Sequence, residues 1–539
     1  MPSRDLNRRQ WAGTIAAAAA EALRAGPPPR LEVRAFLPGG QPCPPELLET
    51  LYLTDRDGRP FEIRPRLTGA GSAVLELPAR PFEIMMILPV RDFGEVYLYA
   101  DNGGTLYMRS PGELVLNYEF ARSRTAFLER YMRAAQAEGV DFSSALRQRI
   151  SRGEAALAKA SAARDVGERA GFSNEALTEL MWAGEMAALE RARHRIRRQG
   201  PRPGFLFGSN AFGYARSEEY AKRYNELLNF ATLPFYRAQT EKVEGSPDYS
   251  AAEAILQKMA GTPILAKGHP LVWFHYAGIP DFLRKKSWAE LKTSCREYVL
   301  RSVLRFRSRI HVWDVINEAH DWANELSLSH EQLLEMTRLA AETVRLADPT
   351  AFRIVNSCCT WSEYVATGRN YKGEMRRPIR SVFEYHRAVE DAGVPYEAIG
   401  LQLYNPQRDM LEIERQLERF FVFGKPIHIT ELGISSANEP VRMGEEIRRP
   451  GRRVWHGSEW SERIQADWLE QFYTICYSKP QIHAISWWDF ADPAFIPHGG
   501  LLRPDLTPKE AYHRLKGLIA EWGHTARSAR ARPVVARAV

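Results

Sequence analysis

The chain has 539 residues, 45% of them hydrophobic and 26% charged, with a formal net charge of +7. That length calls for more than one domain, the composition is ordinary for a globular protein, and no run of about 20 apolar residues is present to span a membrane. The positive charge does not trace a nucleic-acid footprint: the arginines are dispersed, densest in a helix end (RARHRIRRQG) and in a C-terminal tail (ARSARARPVVARAV), with no zinc spacing or RNA-binding signature beside them.

The five cysteines, Cys43, Cys295, Cys358, Cys359 and Cys476, are too few and too scattered for a disulfide framework and include no CxxC pair for a metal. At the N-terminus Arg8 and Arg9 precede the small-residue run AGTIAAAAA. This resembles a twin-arginine export signal over residues 1–30, which would place the mature protein in the periplasm or outside the cell. Because Glu21 cuts the apolar run short, a disordered or amphipathic leader on a cytoplasmic protein is the competing expectation.

Residues 31–120 alternate in short β-like runs and predict a small β-sandwich. EVYLYA, the turn Asp101-Asn102-Gly103-Gly104 and TLYM read as a hairpin, the glycines supplying positive φ. Tyr97, Tyr99 and Tyr107 are strand formers that could also stack on sugar. Residues 121–200 change to Ala, Glu, Arg and Leu at helical spacing and predict a linker of two helices, split near Gly167–Gly171, with Ser173 as an N-cap.

From residue 201 to 522 eight strand-like runs alternate with amphipathic helices: FLFGSNAF, NFATLPFY, PILAKGHPLVW, HVWDVINE, FRIVNS, AIGLQLY, PIHITEL and AISWWDF. The fold class that follows is α/β, a (β/α)8 TIM barrel behind the sandwich and the helical linker, with residues 523–539 as a basic tail. Active sites of such barrels sit at the C-terminal ends of the strands. Strand four ends on Asn317 and Glu318, and strand seven carries Glu431. Two carboxyl groups across the mouth are what cleavage of a glycosidic bond requires, one to protonate the leaving oxygen and one to attack or to activate water. His269 and Trp273 on strand three, Gln402 and Tyr404 on strand six, and Trp487 and Trp488 at the end of strand eight supply the ring faces and hydrogen-bonding groups of a carbohydrate cleft.

KGHPLVW, WDVINE, GLQLY, ITELGI and a late Trp followed by GGLLRPDLTPKEAY resemble glycoside hydrolase family 10, the xylanase-type barrels, over about residues 205–518. The resemblance implies an endo-1,4-β-xylanase-like enzyme that cleaves xylan or a related β-linked plant polysaccharide with retention, with no metal or other cofactor. It implies Glu431 as nucleophile, Glu318 as acid/base, and Asn317 on the sugar 2-hydroxyl. His269, Trp273, Gln402 and Trp487 match the family's sugar-binding residues.

Three departures accompany it. Where family members carry an ENxMKW-like segment after strand two, Phe235 stands where the Asn would be, so an apolar wall is expected there. Tyr404 takes the place of a strand-six His, and Gly433 that of an Asp after the nucleophile. A β-glycosidase acting on a smaller or decorated glycoside is therefore the alternative enzyme, and a non-catalytic carbohydrate-binding barrel the alternative from another class. The carbohydrate is the expected partner, with no nucleic acid and no membrane; neither linkage nor oligomeric state is legible.

Overall fold

The computed structural model describes residues 29–108, 112–438, 454–493 and 495–523. The twin-arginine segment and the basic tail lie outside them.

Two sheets form first. β1 (Arg30–Arg34), β3 (Arg66–Gly69), β4 (Ser72–Glu76) and β7 (Glu113–Val115) make one, in the order β3-β4-β1-β7. In β1 the sequence RLEVR buries Leu31 and Val33 and exposes the residues between them, the period-two pattern of a half-buried strand. β2 (Tyr52–Thr54), β5 (Glu83–Val90) and β6 (Gly94–Ala100) belong to the other. β5, EIMMILPV, is buried on both faces because one packs in the main core and the other meets the barrel through Met85.

The expected EVYLYA–TLYM hairpin does not form. β6 pairs with β5, joined by 91–93, and after the Asp101–Gly104 turn the chain resumes alongside the same strand, Tyr107 facing Phe82. The positive φ expected of Gly103 and Gly104 is present, but it shapes a bulge rather than a reversal. Short-range pattern signals a turn; which strand is met afterwards is a long-range choice.

Three helices follow, not two: α1 (Leu116–Ala137), α2 (Ser144–Ala162) and α3 (Val166–Gln199). The second break falls before Gly167, where the Asp165 side chain accepts the Glu168 N–H as N-cap. Ser173 is interior to α3, its hydroxyl bonded to the Arg169 carbonyl at 2.7 Å. Both glycines are tolerated inside α3 because its packing against α1 and α2 outweighs a propensity cost of about 1 kcal/mol each.

The barrel closes from eight parallel strands, all at the positions expected from the sequence: β8 (Leu206–Asn210), β9 (Phe230–Pro234), β10 (Leu265–His269), β11 (Val312–Asn317), β12 (Phe352–Ser357), β15 (Ala398–Tyr404), β16 (Ile427–Gly433) and β19 (Ile482–Trp487). A two-stranded ladder, β13 (Arg369–Asn370) with β14 (Gly373–Glu374), sits in the loop after β12. β17 (Val454–Trp455) and β18 (Ser458–Glu459), from the loop after β16, leave the barrel and extend the N-terminal sheet, Trp455 pairing with Gly94. No local signal announces that union.

Inside the barrel the strands begin with apolar residues: Leu206, Phe230, Leu265, Val312, Phe352 and Ala398, with Ile354 further along β12, pack together at its base. Residues two and four positions further along share that inward face. Among them are the polar Lys267, His269, Asp314, Asn356 and Gln402, so the interior changes from a dry plug to a hydrogen-bonded site along the strands.

Candidate active site

Both strands that carry the paired carboxyls are irregular where it matters. The β11–β12 register shifts between Asp314 and Ile316, and that of β16 against β15 and β19 shifts just before Glu431. Bulges re-aim side chains, and here they bring Glu431 opposite Gln402. Glu318 itself has φ +55°, the left-handed region, a conformation that costs about 1–2 kcal/mol in a residue with a Cβ. Its N–H is held by the Asn356 carbonyl at 2.9 Å.

Each carboxyl has its own set of donors. Glu318 Oε2 accepts from Trp273 Nε1 at 2.9 Å and Oε1 from Gln402 Nε2 at 3.1 Å. Glu431 Oε2 accepts from the Tyr404 hydroxyl at 2.6 Å and Oε1 from Asn356 Nδ2 at 3.1 Å, with His269 Nε2 at 3.7 Å. Asn317 links the two sets: its Oδ1 accepts from Asn356 Nδ2 at 2.8 Å and from Gln402 Nε2 at 3.2 Å, and its amide N–H2 is turned to the Glu318 carboxyl. Gly400 makes room for this, since a Cβ there would lie 2.5 Å from Asn356 Oδ1.

Below the carboxyls lies a buried charge cluster. Asp314 Oδ2 receives Lys267 Nζ and His269 Nδ1, both at 2.7 Å. Burial alone would raise the Asp314 carboxyl, yet Lys267 and His269 hold it below its ordinary value. Asp314 thereby orients the imidazole so that Nε2 faces Glu431.

Burial pushes both site carboxyls up to about 7. After burial, the causes differ. Glu318 is restrained by hydrogen bonds from Trp273, Gln402, Cys358 and Asn317. Glu431 is lowered by the charges of His269 and Lys267 and by the Tyr404 bond, and raised by Glu318. Two like charges this confined do not ionise together, and the neighbouring charge of Lys267 favours the ionised form of Glu431.

The linked stability effect has a definite sign. With folded values near 7 against the ordinary 4.5, the native state binds more protons than the unfolded one between those limits. The stabilisation is complete below about pH 4.5 and lost as pH rises through 7. Glu431→Gln, which cannot ionise, is expected to raise Tm by a few degrees at pH 8, equivalent to roughly 2–3 kcal/mol, and to leave it unchanged at pH 4.5. Calorimetry at the two pH values checks this; an equal shift at both would mean that charge burial is not its source.

Tyr404→Phe removes one donor to Glu431. The Glu431 carboxyl should then rise further, moving the acid limb of kcat/KM to higher pH and lowering the plateau about tenfold. A pH–rate profile decides; an unmoved acid limb would show that the phenol does not set the ionisation of Glu431.

Two of the expected aromatic residues, Phe235 and Trp487, do not face the cleft. Phe235 does not form a cleft wall: it is fully buried on the helix side, 4.9 Å from Trp313 and 5.3 Å from Phe306 between ring centroids. The next residue, Tyr236, faces the site, 5.7 Å from His269 and 5.9 Å from Trp273. Its hydroxyl is held well above the ordinary value by burial and then by Glu431 and Glu318. A strand-end register error of one residue exchanges the two faces.

Trp487 is likewise fully buried in the main core, its Nε1 donating to the Gly499 carbonyl at 2.8 Å. Trp488 stands over His269 at 5.2 Å instead. The structure thus gathers His269, Trp273, Asn317, Glu318, Gln402, Tyr404 and Glu431 and leaves Trp487 behind the wall. Of the two indoles expected at the end of strand eight it brings in Trp488, and it adds Asn356, Lys267, Asp314, Tyr236 and Cys358. Lys267, Asp314 and Asn356 share the inward alternation of His269, Glu318 and Gln402, the signal that could have found them.

A family model of glycosyl hydrolase family 10 matches residues 218–515, more than half of the chain. An endo-1,4-beta-xylanase B of Thermotoga neapolitana is 24% identical over 339 residues, 59% of this chain and 88% of that protein. An endo-1,4-beta-xylanase B of Paenibacillus barcinonensis is 26% identical over 334 residues, 56% of this chain and 90% of that one. Among solved structures, a psychrophilic family 10 endo-beta-1,4-xylanase aligns with TM-score 0.46 at 21% identity, over 60% of this chain and 97% of that chain. Everything before residue 218 lies outside the family match. From residue 218 to 515 the chain belongs to glycosyl hydrolase family 10, the glycoside-cleaving enzymes that the paired carboxyls led us to expect.

Proposed function

We propose that the protein cleaves β-1,4-linked xylan or a closely related β-linked plant polysaccharide by double displacement, with Glu431 as nucleophile and Glu318 as acid/base. The observation that carries this is the asymmetry of the carboxyl pair: Glu431 lies beside His269 and Lys267, while Glu318 is surrounded by neutral donors. The names of the matched relatives supply the substrate class.

In the first step the Glu431 carboxylate attacks C1, the glycosidic C–O bond breaks, and the Glu318 proton goes to the departing oxygen. A neutral glycosyl ester on Glu431 results. Loss of the Glu431 charge lowers the affinity of Glu318 for a proton, so Glu318 stays ionised after its donation and, as general base, accepts a proton from the water that attacks C1. The hydroxide oxygen attacks C1 and Glu431 leaves as carboxylate. Two inversions give net retention. Asn317 donates to the sugar 2-hydroxyl, a bond that tightens as C1 gains positive charge. Trp273, Tyr236 and Trp488 offer ring surfaces to the sugar, and Trp273 also fixes Glu318 through its indole N–H.

The test is a substrate panel of β-1,4-xylan, mixed-linkage glucan, and aryl β-xyloside and β-glucoside, with products followed by chromatography and anomers by NMR. Xylo-oligosaccharides released with the β-anomer first are expected. Turnover of aryl glycosides alone would move the substrate to a smaller glycoside, and α-anomer first would exclude double displacement.

A further inference from the structure

The residues that hold both carboxyls, Gln402 and Tyr404, sit on β15, and the chain just beyond them is gripped by the N-terminal sheets. Asn405 has φ +43°; its N–H donates to the Gly433 carbonyl at 2.8 Å and its Oδ1 accepts from the Ser435 N–H at 3.2 Å. The strand-six end is thus stitched to the strand-seven end. Two residues on, the Gln407 carbonyl accepts the Tyr97 N–H of β6 at 2.9 Å.

Arg408 follows, its side chain 1% exposed. The guanidinium lies between two rings, Tyr97 of the N-terminal sheet and Trp361 of the barrel, each 4.4 Å away. It donates to Glu363 at 2.8 Å and to the Tyr52 hydroxyl at 3.2 Å. Asp409 then accepts from Arg124 of α1 at 2.6 Å while capping the helix Met410–Glu418.

These contacts reach the carboxyls by two short routes. Trp361 adjoins Thr360, whose hydroxyl donates to the Gln402 carbonyl at 3.0 Å; Gln402 donates to Glu318. Through Asn405 the same loop fixes Tyr404, which donates to Glu431. A buried guanidinium is costly to leave unpaired, so the loop has one low-energy position, and part of what defines it is the N-terminal sheet. Tyr52 and Tyr99 accordingly serve an interface rather than a stacking surface, both being buried and Arg415 covering Tyr99 at 4.1 Å, while Tyr107 is buried against Phe82 and bonded to Glu119.

We propose that Arg408, clasped between Tyr97 and Trp361, is a positioning residue through which the N-terminal sheets set the placement of Gln402 and Tyr404, and so form part of the catalytic apparatus. The proposal rests on the roles assigned above to Glu318 and Glu431.

The experiment uses the full chain and four variants: Arg408→Gln, Arg408→Lys, Tyr97→Leu and, as control, Glu138→Gln. Glu138 pairs with Arg191 and Arg195 within the helical linker and touches none of these groups. Activity on an aryl β-xylobioside is measured across pH beside Tm. Arg408→Gln and Tyr97→Leu should lose about 10- to 100-fold in kcat with KM changed less than about threefold. Both limbs of the pH profile should move to higher pH, because the Gln402 and Tyr404 bonds each hold a carboxyl down. Other groups facing Glu431 are His269, Lys267, Asn356 and Tyr236, and those facing Glu318 are Trp273, Cys358 and Asn317. None of these is altered, so the joint shift reports the loop. Arg408→Lys should recover part of kcat, and Glu138→Gln should lower Tm alone.

A fall in Tm with parental kcat and parental limbs in Arg408→Gln and Tyr97→Leu would overturn the proposal. Should Arg408→Gln not fold, Tyr97→Leu decides, since it leaves the Glu363 pairing intact. Glu431→Gln run in parallel separates the two levels. Turnover surviving it would sink the site assignment, whereas an inactive Glu431→Gln beside unaffected Tyr97→Leu would sink only the coupling.

Discussion

Replacing Glu431 by Gln is expected to lower kcat at least about 10⁴-fold on every substrate. Gln has nearly the same shape; its oxygen can still accept from Asn356 while its N–H2 donates to the Tyr404 hydroxyl oxygen, so the site stays assembled while the attacking charge is gone. No other described carboxylate is held beside His269 Nε2 to replace it. Glu431→Ala opens space on that side of C1. Added azide should attack there and give the α-glycosyl azide, restoring part of the rate on an aryl β-glycoside with a good leaving group. A Glu431→Gln enzyme that kept a tenth of the parental rate would place the nucleophile elsewhere.

Glu318→Ala should behave differently, and the difference is diagnostic. Loss of the proton donor matters in proportion to the basicity of the leaving group. Cleavage of xylan should fall about 10²- to 10⁴-fold, the usual range for a general acid, while dinitrophenyl glycosides should still glycosylate the enzyme readily. With no base to activate water, the ester on Glu431 then accumulates: a burst appears, and kcat and KM fall together. Azide needs no base and should yield the β-azide. An equal loss for all leaving groups, with no azide product, would remove Glu318 from the acid/base role. Trp273 and Gln402, which hold Glu318 at 2.9 and 3.1 Å, would then be holding a structural carboxylate.

The barrel was legible because its signals are periodic. Eight apolar runs of strand length separated by amphipathic helices admit few other folds, and all eight strands lie where the runs lie. The carboxyl pair was legible because strand ends in such a barrel converge on one mouth. What escaped depends on one-residue choices or on distance. Phe235 and Tyr236 differ only in which face the chain presents as it leaves β9, and Trp487 and Trp488 only in which of two adjacent indoles turns inward. The bulges that re-aim Glu318 and Glu431 have no sequence signature of their own. The union of β17 with β6 joins residues more than 350 positions apart, and the Arg408 clasp joins Tyr52 and Tyr97 to a loop after strand six. Such contacts arise from tertiary packing, which local pattern does not encode.

That Glu431 takes the sugar covalently is the claim on which the rest depends. An activated 2-deoxy-2-fluoro β-xyloside tests it directly. The fluorine destabilises the oxocarbenium-like transition states of both steps, while the good leaving group lets the first proceed, so the ester is trapped. Intact mass should rise by one fluoroglycosyl unit, and the peptide containing Ile429-Thr430-Glu431-Leu432 should carry it. An adduct on another residue, or none from an enzyme that turns over the parent glycoside with inversion at C1, would contradict the account.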